Sequence, residues 1–397
     1  MPFNFARLML LTALVAAILP PGYAAYIGAY MALAAALLAL LIYGWAERSV
    51  FAHPTSLAIL AAILLVGAAI PFVYRGEADL LAPVLLLPML GTIGLGTLAR
   101  PANTIPGATT FGLICLGAAA IALTGGLYEH FVLGAYRPGL GNNPIHYGTL
   151  AAMSGCLAMI GVVAGVSPWR YLFLLGPVFG LAATIVSGSR GPMMGALAMT
   201  GIGIAILAIW LWRERLFQLA MLAGIAVGAA TTVYLLGSEN MRVAGLFDSA
   251  LDVFRFTGGS DDIRAALYTS ALQILRDSPI VGVGLGQIMV TAETMFPELV
   301  IKAALDNLHA DWANFAAMAG GLGVVAYLLL LSAPLLLLAS PKARKDRPLV
   351  LGAIVLTTGQ LTFGVSNATF GILPQTVIYA VALGYLLVRA RHIEPAA

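Results

Sequence analysis

Residues 187–212 read SGSRGPMMGALAMTGIGIAILAIWLW. A polar break, Ser187-Gly188-Ser189-Arg190, gives way at Gly191-Pro192 to an uncharged run that lasts through Trp212. Its apolar residues are continuous and do not alternate with period two, so the run reads as a helix. Its length suits the ~20 residues that cross a hydrocarbon core. The rest of the chain repeats this pattern. Of its 397 residues, 61% are hydrophobic and 9% charged, against roughly a quarter charged in soluble chains; mean hydropathy is +0.96. Within lipid every backbone amide must be satisfied inside its own element or a closed barrel, and continuous apolar runs select helices. The expected fold is therefore all-α, a polytopic transmembrane helical protein of about twelve spans. They are read at 5–20, 22–45, 54–74, 80–99, 106–127, 146–166, 171–187, 191–212, 216–237, 309–339, 348–366 and 371–389.

The basic residues orient these spans. With the N-terminus inside, the cytoplasmic ends receive Arg7, Arg48, Arg100, Arg170, Arg213, Arg215, the run Lys342 to Arg347, Arg389 and Arg391. The short external loops receive Arg75, Arg137 and Arg190. This asymmetry places both termini in the cytoplasm. It divides the chain into spans one to nine (1–237), an external loop (238–308), and spans ten to twelve with a cytoplasmic tail (309–397). The run Leu8 to Leu19 after Arg7 has the look of a signal peptide, but Pro20-Pro21 leads straight into another span, so it reads as an uncleaved first helix. Cys115 and Cys156 both lie in apolar spans, which supports neither a disulfide nor thiol or metal chemistry. A net charge of +3 does not suggest nucleic acid, and no phosphate-binding loop with its lysine is present for an ATP-driven pump.

The stretch Ser238 to His309 breaks the apolar pattern. It holds more than half of the seventeen acidic residues, with Arg242, Arg255, Arg264, Arg276 and Lys302. A connection this long is functional or disordered, and an amphipathic helix within it argues against disorder. That helix is read from Asp261 to Arg276, capped by Ser260, with Ile263, Leu267, Ala271, Ile274 and Leu275 as an apolar face packed on the membrane domain or lying at its surface. Asp277-Ser278-Pro279 ends it. The glycines of Val281-Gly282-Val283-Gly284-Leu285-Gly286 lack the setting of a dinucleotide fingerprint and read as a close-packed turn against the membrane domain.

Four places carry candidate chemistry. Arg190 opens a span beside Pro192, where free amides and a helix dipole favour an anion, and its guanidinium suits phosphate; the bland alternative is a snorkelling arginine. Arg264 sits in the loop helix, where its bland role is an ion pair with Asp261. His309 opens the tenth span, in its first turn, with Asp306 or Asn307 as its cap. A helix start and nearby arginines both favour the neutral imidazole that a general base needs; an ordinary interfacial histidine is the alternative. Asp311 is a candidate to orient it, although two-residue spacing on a helix points the side chains apart. Arg137, in Arg137-Pro138-Gly139-Leu140-Gly141-Asn142-Asn143-Pro144, offers a second phosphate-reading side chain in a shaped turn. His130 and His146 flank that loop as weaker candidates; His53 and His392 lie inside.

Together these features resemble the O-antigen ligase family, whose relatives include O-antigen polymerases and bacterial protein O-oligosaccharyltransferases. Arg190 in Ser-Gly-Ser-Arg-Gly is similar to the family's outer-break arginine and Arg264 to its loop-helix arginine. Pro279 with Gly282 and Gly284 is similar to its Pro–Gly-x-Gly turn. His309, with Gly320 and Gly323 downstream, is similar to its histidine and glycines, and Arg137 with Gly139 and Asn143-Pro144 to a superfamily turn. The family histidine is often followed by asparagine; here Ala310 follows and Asn307 precedes. The resemblance implies a multi-pass protein of the bacterial inner membrane with its site in a periplasmic loop. It implies transfer of a glycan from undecaprenyl pyrophosphate to lipid A–core, inverting, with no metal, ATP or other cofactor. His309, Arg190 and Arg264 would be catalytic, and Arg190, Arg264, Arg137, Ser187, Ser189 and Asp311 would bind substrate. The implied partners are the lipid-linked O-antigen, the lipid A–core acceptor and membrane lipids. The competing readings are an O-antigen polymerase and, from another class, a lipid or solute transporter. A transporter should carry charged or broken helices near the bilayer midplane, whereas the notable charges here gather at the outer face.

Overall fold

The structure, a computed structural model, describes residues 4–102, 105–165, 167–224, 259–303 and 305–393. Among these residues it is all-helical and multi-pass. Ten helices are long and apolar enough to cross a membrane. In chain order the main elements are α1 (Phe5–Ile18), α2 (Ala24–Tyr43), α3 (Pro54–Val73), α4 (Glu77–Val84), α5 (Leu90–Gly96), α6 (Ala108–Leu127), α7 (Pro144–Leu157), α8 (Leu175–Val186) and α9 (Arg190–Leu211). After them come α10 (Gly259–Asp277), α11 (Ile288–Met295), α12 (Pro297–Ala303), α13 (Asp311–Leu336), α14 (Arg347–Ser366) and α15 (Leu373–Ile393). Helix α1 has 14 residues, below spanning length by itself, and the ninth expected span, 216–237, falls largely outside the described residues. So do Arg242 and Arg255, and the side chains of Ser260, Asp261 and Lys302.

Helix α15 and the run Pro144–Val163 are the axis of the bundle, each 89% buried. Small residues make the close packing possible. Gly176 and Gly180, spaced by one helical turn on α8, lie against Gly155 of α7, where a Cβ would stand 2.9 Å from the Gly180 Cα; this is the small-xxx-small contact of membrane helices. One end of the bundle gathers the residues near both termini. The Asn4 amide donates to the Ala102 carbonyl at 2.9 Å, and Arg391 donates to Gly96 O at 2.6 Å and to Glu47 at 2.9 Å. There too Arg389 grips Asp346 with two bonds of 2.7 Å, and Arg170 pairs with Glu214, whose carboxyl is held below its ordinary range by the Tyr171 hydroxyl first and Arg170 second.

At the opposite end the loop between α10 and α11 enters the membrane bundle. Helix α13 is interrupted at Ala319 and Gly320, the latter at φ +58°. The freed backbone groups are taken up by the loop. Val283 N donates to Ala317 O at 2.9 Å and Gly284 N to Met318 O at 3.2 Å, while Gly321 N donates to Pro279 O at 2.8 Å and Leu322 N to Ile280 O at 3.2 Å. The turn expected over 279–286 is thus a splice into a broken span. Asp79 of α4, 1% exposed, locks it from the other side: its carboxylate accepts Gly286 N and Arg75 N, each at 2.8 Å. Asp79→Ala would leave both amides without that acceptor. We expect it to lower stability by about 1–3 kcal/mol, read as a drop in unfolding temperature of the purified protein.

Candidate active site

The break between α8 and α9 is built by its own residues. Gly188 turns the chain at φ +61°, its amide donates to Ile185 O at 2.9 Å, and the Ser187 hydroxyl donates to Thr184 O at 2.8 Å. These bonds close the end of α8 and set Ser189, in extended backbone, as the residue before Arg190. The Arg137 loop folds onto this break. Arg137 Nη2 donates to Ser189 Oγ at 3.3 Å and its Nε to Ser187 O at 3.4 Å. Glu129 holds the loop in shape, its carboxylate accepting Gly139 N at 2.9 Å and Leu140 N at 2.7 Å. Ser187 and Ser189, expected as substrate contacts, are 0% and 1% exposed; their hydroxyls serve the break and Arg137 instead.

The Arg190 break and the Arg264 helix both touch a part of the chain that sequence reading passed over, the end of α14. Gly191 lies against it, so close that a Cβ would stand 2.6 Å from Ser366 Oγ. From the other side Tyr268 of α10 donates its hydroxyl to Val365 O at 3.1 Å and packs on Trp312, ring centroids 5.4 Å apart. Arg264 precedes Tyr268 by one helical turn on the same face. The Arg190 break and the loop helix that carries Arg264 therefore meet neighbouring residues of one helix end through Gly191 and Tyr268. The loop helix packs on the membrane domain through its apolar face, with Leu267, Ala271 and Ile274 fully or nearly fully buried.

His309 is not in the first turn of α13, as the sequence suggests, but two residues ahead of it, at φ +53°. Asparagines account for this. The Asn307 side chain accepts His309 N at 2.8 Å, and Asn314 reaches back to accept Leu308 N at 2.9 Å, so the chain turns before the helix begins. The half-buried imidazole is held below its ordinary value by burial first and by the charge of Arg264 second, against a smaller pull upward from Asp306. It is poised neutral, as a base must be.

Asp311, expected to orient His309 and to bind substrate, is 1% exposed, and its carboxylate bonds groups on α14 and the turn that follows it. One oxygen accepts Thr369 N at 2.8 Å and Phe370 N at 3.0 Å. The other accepts Gln360 Nε2 at 3.3 Å and the Thr369 hydroxyl. The start of α13 is thereby tied to the turn between α14 and α15. The low-dielectric interior demands partners for a buried carboxylate, and backbone amides in that turn supply them. Glu129, Asp79 and Gln360 were missed as well, although each is a polar side chain in or beside an apolar run, which marks a purpose inside a membrane. Among the described residues, no three His, Cys, Asp or Glu side chains gather into a metal-binding group.

No curated protein matches the chain. Residues 175–328 match a family model described as O-antigen ligase. That stretch runs from the start of α8 into α13 and contains the Arg190 break, the Arg264 helix, the splice and His309. This match over residues 175–328 of the membrane protein supports the O-antigen ligase family.

Proposed function

We propose that the protein is a glycosyltransferase of the bacterial inner membrane, an O-antigen ligase that moves a glycan from undecaprenyl pyrophosphate to lipid A–core at the periplasmic face. The observation that carries this reading is the convergence of two arginines and a neutral histidine on one end of the bundle. Arg190 and Arg264 suit a diphosphate, with fixed forks of donors and no need to reorganise as charge develops. His309 suits the acceptor. It takes the proton of the sugar hydroxyl as that oxygen bonds to the anomeric carbon. The bond from that carbon to the phosphate oxygen breaks, and its electron pair leaves with the lipid diphosphate. Attack opposite the leaving group inverts the configuration. Because the donor arrives activated, the reaction needs neither ATP nor a nucleotide sugar, and two arginines can carry the leaving charge without a metal or other cofactor. The clustering of basic residues at the end that holds both termini supports placing that end in the cytoplasm and the site outside.

The test is reconstitution of the purified protein with undecaprenyl-pyrophosphate-linked O-antigen and O-antigen-free lipopolysaccharide, without ATP and with chelator, read on a gel for high-mass lipopolysaccharide. Wild type should transfer glycan to core. Arg190→Ala should lower the rate by about 10²–10³-fold, the scale of removing one preorganised donor from a transition state, and Arg190→Lys should recover only part of it, since an ammonium lacks the fork. Longer lipid-linked glycan with no transfer to core would instead mark a polymerase, and active donor with no new covalent product would sink the enzymatic reading.

A further inference from the structure

Ser189 stands at the N-cap of α9 in extended backbone, yet its hydroxyl caps no amide of that helix. A serine so placed ordinarily accepts from one of the helix's first amides and stabilises it. Here the hydroxyl donates to Ser187 O at 3.4 Å and accepts Arg137 Nη2 at 3.3 Å. Arg137 Nε reaches the same Ser187 carbonyl at 3.4 Å, so one guanidinium spans the two residues that flank Gly188. Among the described residues its hydrogen bonds go to this break alone. Natural chains give up a local stabilising contact chiefly where function asks for it.

The loop that carries Arg137 is anchored on both sides. A π turn, Tyr128–Val132, follows α6. From it Glu129 accepts Gly139 N and Leu140 N, and His130 donates from Nδ1 to Ala135 O at 3.0 Å. The turn between α1 and α2 takes the other edge: Tyr23 N donates to Leu140 O at 2.9 Å, and the Asn142 amide to Gly22 O at 3.2 Å. Leu140 is held there at φ +52°, a conformation that persists only where the surroundings fix it. Arg137 thus reaches the break from a braced support.

We propose that Arg137 is a positioning residue, clamping Ser187 and Ser189 so that Arg190, the next residue, meets the diphosphate already in place; this rests on the glycosyltransferase reading. Arg137 then touches the break and not the substrate, in place of the substrate contact that the resemblance implies. Arg190 stabilises the departing charge only if it need not reorganise as that charge grows. A misplacement of about 1 Å at such a centre costs on the order of 10²-fold in rate.

The test is a double-mutant cycle in the reconstituted transfer assay, with saturating undecaprenyl-pyrophosphate-linked O-antigen as donor. Arg137→Ala and Ser189→Ala should each lower kcat by about 10-fold to 10²-fold. The acceptor KM and the unfolding temperature should stay close to wild type, a split that lost packing would not give. Arg137→Lys, able to meet one acceptor at a time, should fall between. The Arg137→Ala, Ser189→Ala double variant should be no slower than Arg137→Ala, and Arg137→Ala should cost little more once Arg190→Ala is present. An Arg137 that grips the diphosphate itself would give the opposite: Ser189→Ala at the wild-type rate, and losses at 137 and 190 that multiply. That result overturns the proposal and leaves the glycosyltransferase reading standing. Loss of rate that tracks a fall in unfolding temperature in every variant makes the clamp a packing element, which overturns it as well. Where Arg137→Ala does not fold, Ser189→Ala decides by the same two readouts. Wild type that transfers no glycan removes the reading and the proposal together.

Discussion

Replacing His309 with alanine should reduce glycan transfer by about 10²–10⁴-fold, the usual contribution of a positioned general base, while leaving the unfolding temperature close to wild type. The side chain is half-buried and contributes no helix cap; the local turn is held by Asn307 and Asn314 through backbone amides. The pH profile gives an independent check. Burial and Arg264 hold the imidazole below its ordinary 6.5, so it is neutral at pH 7 and the rate should be flat there. Activity should fall only as the pH drops through a value below 6.5. Stability follows the same sign. The unfolded chain binds this proton more readily than the folded one, so stability is complete above the ordinary value and declines as the pH falls through it. Arg264→Gln should move the acid limb of the rate profile upward, toward that ordinary value, because the neighbouring positive charge is gone. Initial rates in reconstituted membranes across about pH 5 to 8 measure both effects. A His309→Ala enzyme within a few-fold of wild type would remove the base from the scheme.

The second large effect concerns Gly320→Val. Gly320 stands at φ +58° and ψ −138°, a region that glycine alone occupies without cost. A Cβ there would lie 2.5 Å from the Ile280 carbonyl carbon, 2.6 Å from Val281 N and 2.7 Å from Gly282 N. Those are backbone atoms, and they cannot swing aside as the end of a side chain can. Adding strain of ~1–3 kcal/mol for the backbone to a similar sum for overpacking gives a loss of about 2–6 kcal/mol. The expected result is poor accumulation in the membrane and a sharply lower unfolding temperature, with inactivity following from misplacement of α10 and Arg264. Gly321→Ala, one residue on, serves as the control: its backbone has ordinary φ, and its added Cβ meets only Pro279 O at 2.9 Å. It should be milder, with one backbone contact to relieve instead of three and no positive φ to strain.

Much of this molecule is legible in its sequence because a bilayer reduces the choices. Continuous apolar runs announce helices, and the arginine distribution predicts the grouping of ends. The loop helix and the helix-ending Asp277-Ser278-Pro279 were also readable, since local chemistry decides them; α10 ends at Asp277. Glycine spacing disclosed a close approach between 279–286 and the membrane domain. What could not be read is which groups meet across the chain. Nothing in Val365-Ser366 distinguishes it from other span ends, yet it lies between Gly191 and Tyr268. Asp311 follows His309 by two residues and invited a pairing. Its carboxylate found the amides of Thr369 and Phe370 instead, 58 and 59 positions away. The break in α13 was likewise hidden, because Gly320-Gly321 in an apolar run looks like small residues packed between helices. Only the partner segment shows that the ladder of hydrogen bonds is interrupted there.

That interruption bears on how the protein is made. Gly320 lies nine residues past Asp311, about 14 Å along the helix at 1.5 Å per residue. At such a depth, four backbone groups (Ala317 O, Met318 O, Gly321 N and Leu322 N) depend on residues 279–284. Facing hydrocarbon alone, each would cost several kcal/mol. Those partners are synthesised ahead of α13 and must be in place before this helix can settle. That segment should therefore act as an internal chaperone for its own successor. Truncated nascent chains lacking residues 279–284 should leave α13 slow to leave the insertion machinery, even though its composition alone would carry it into the bilayer.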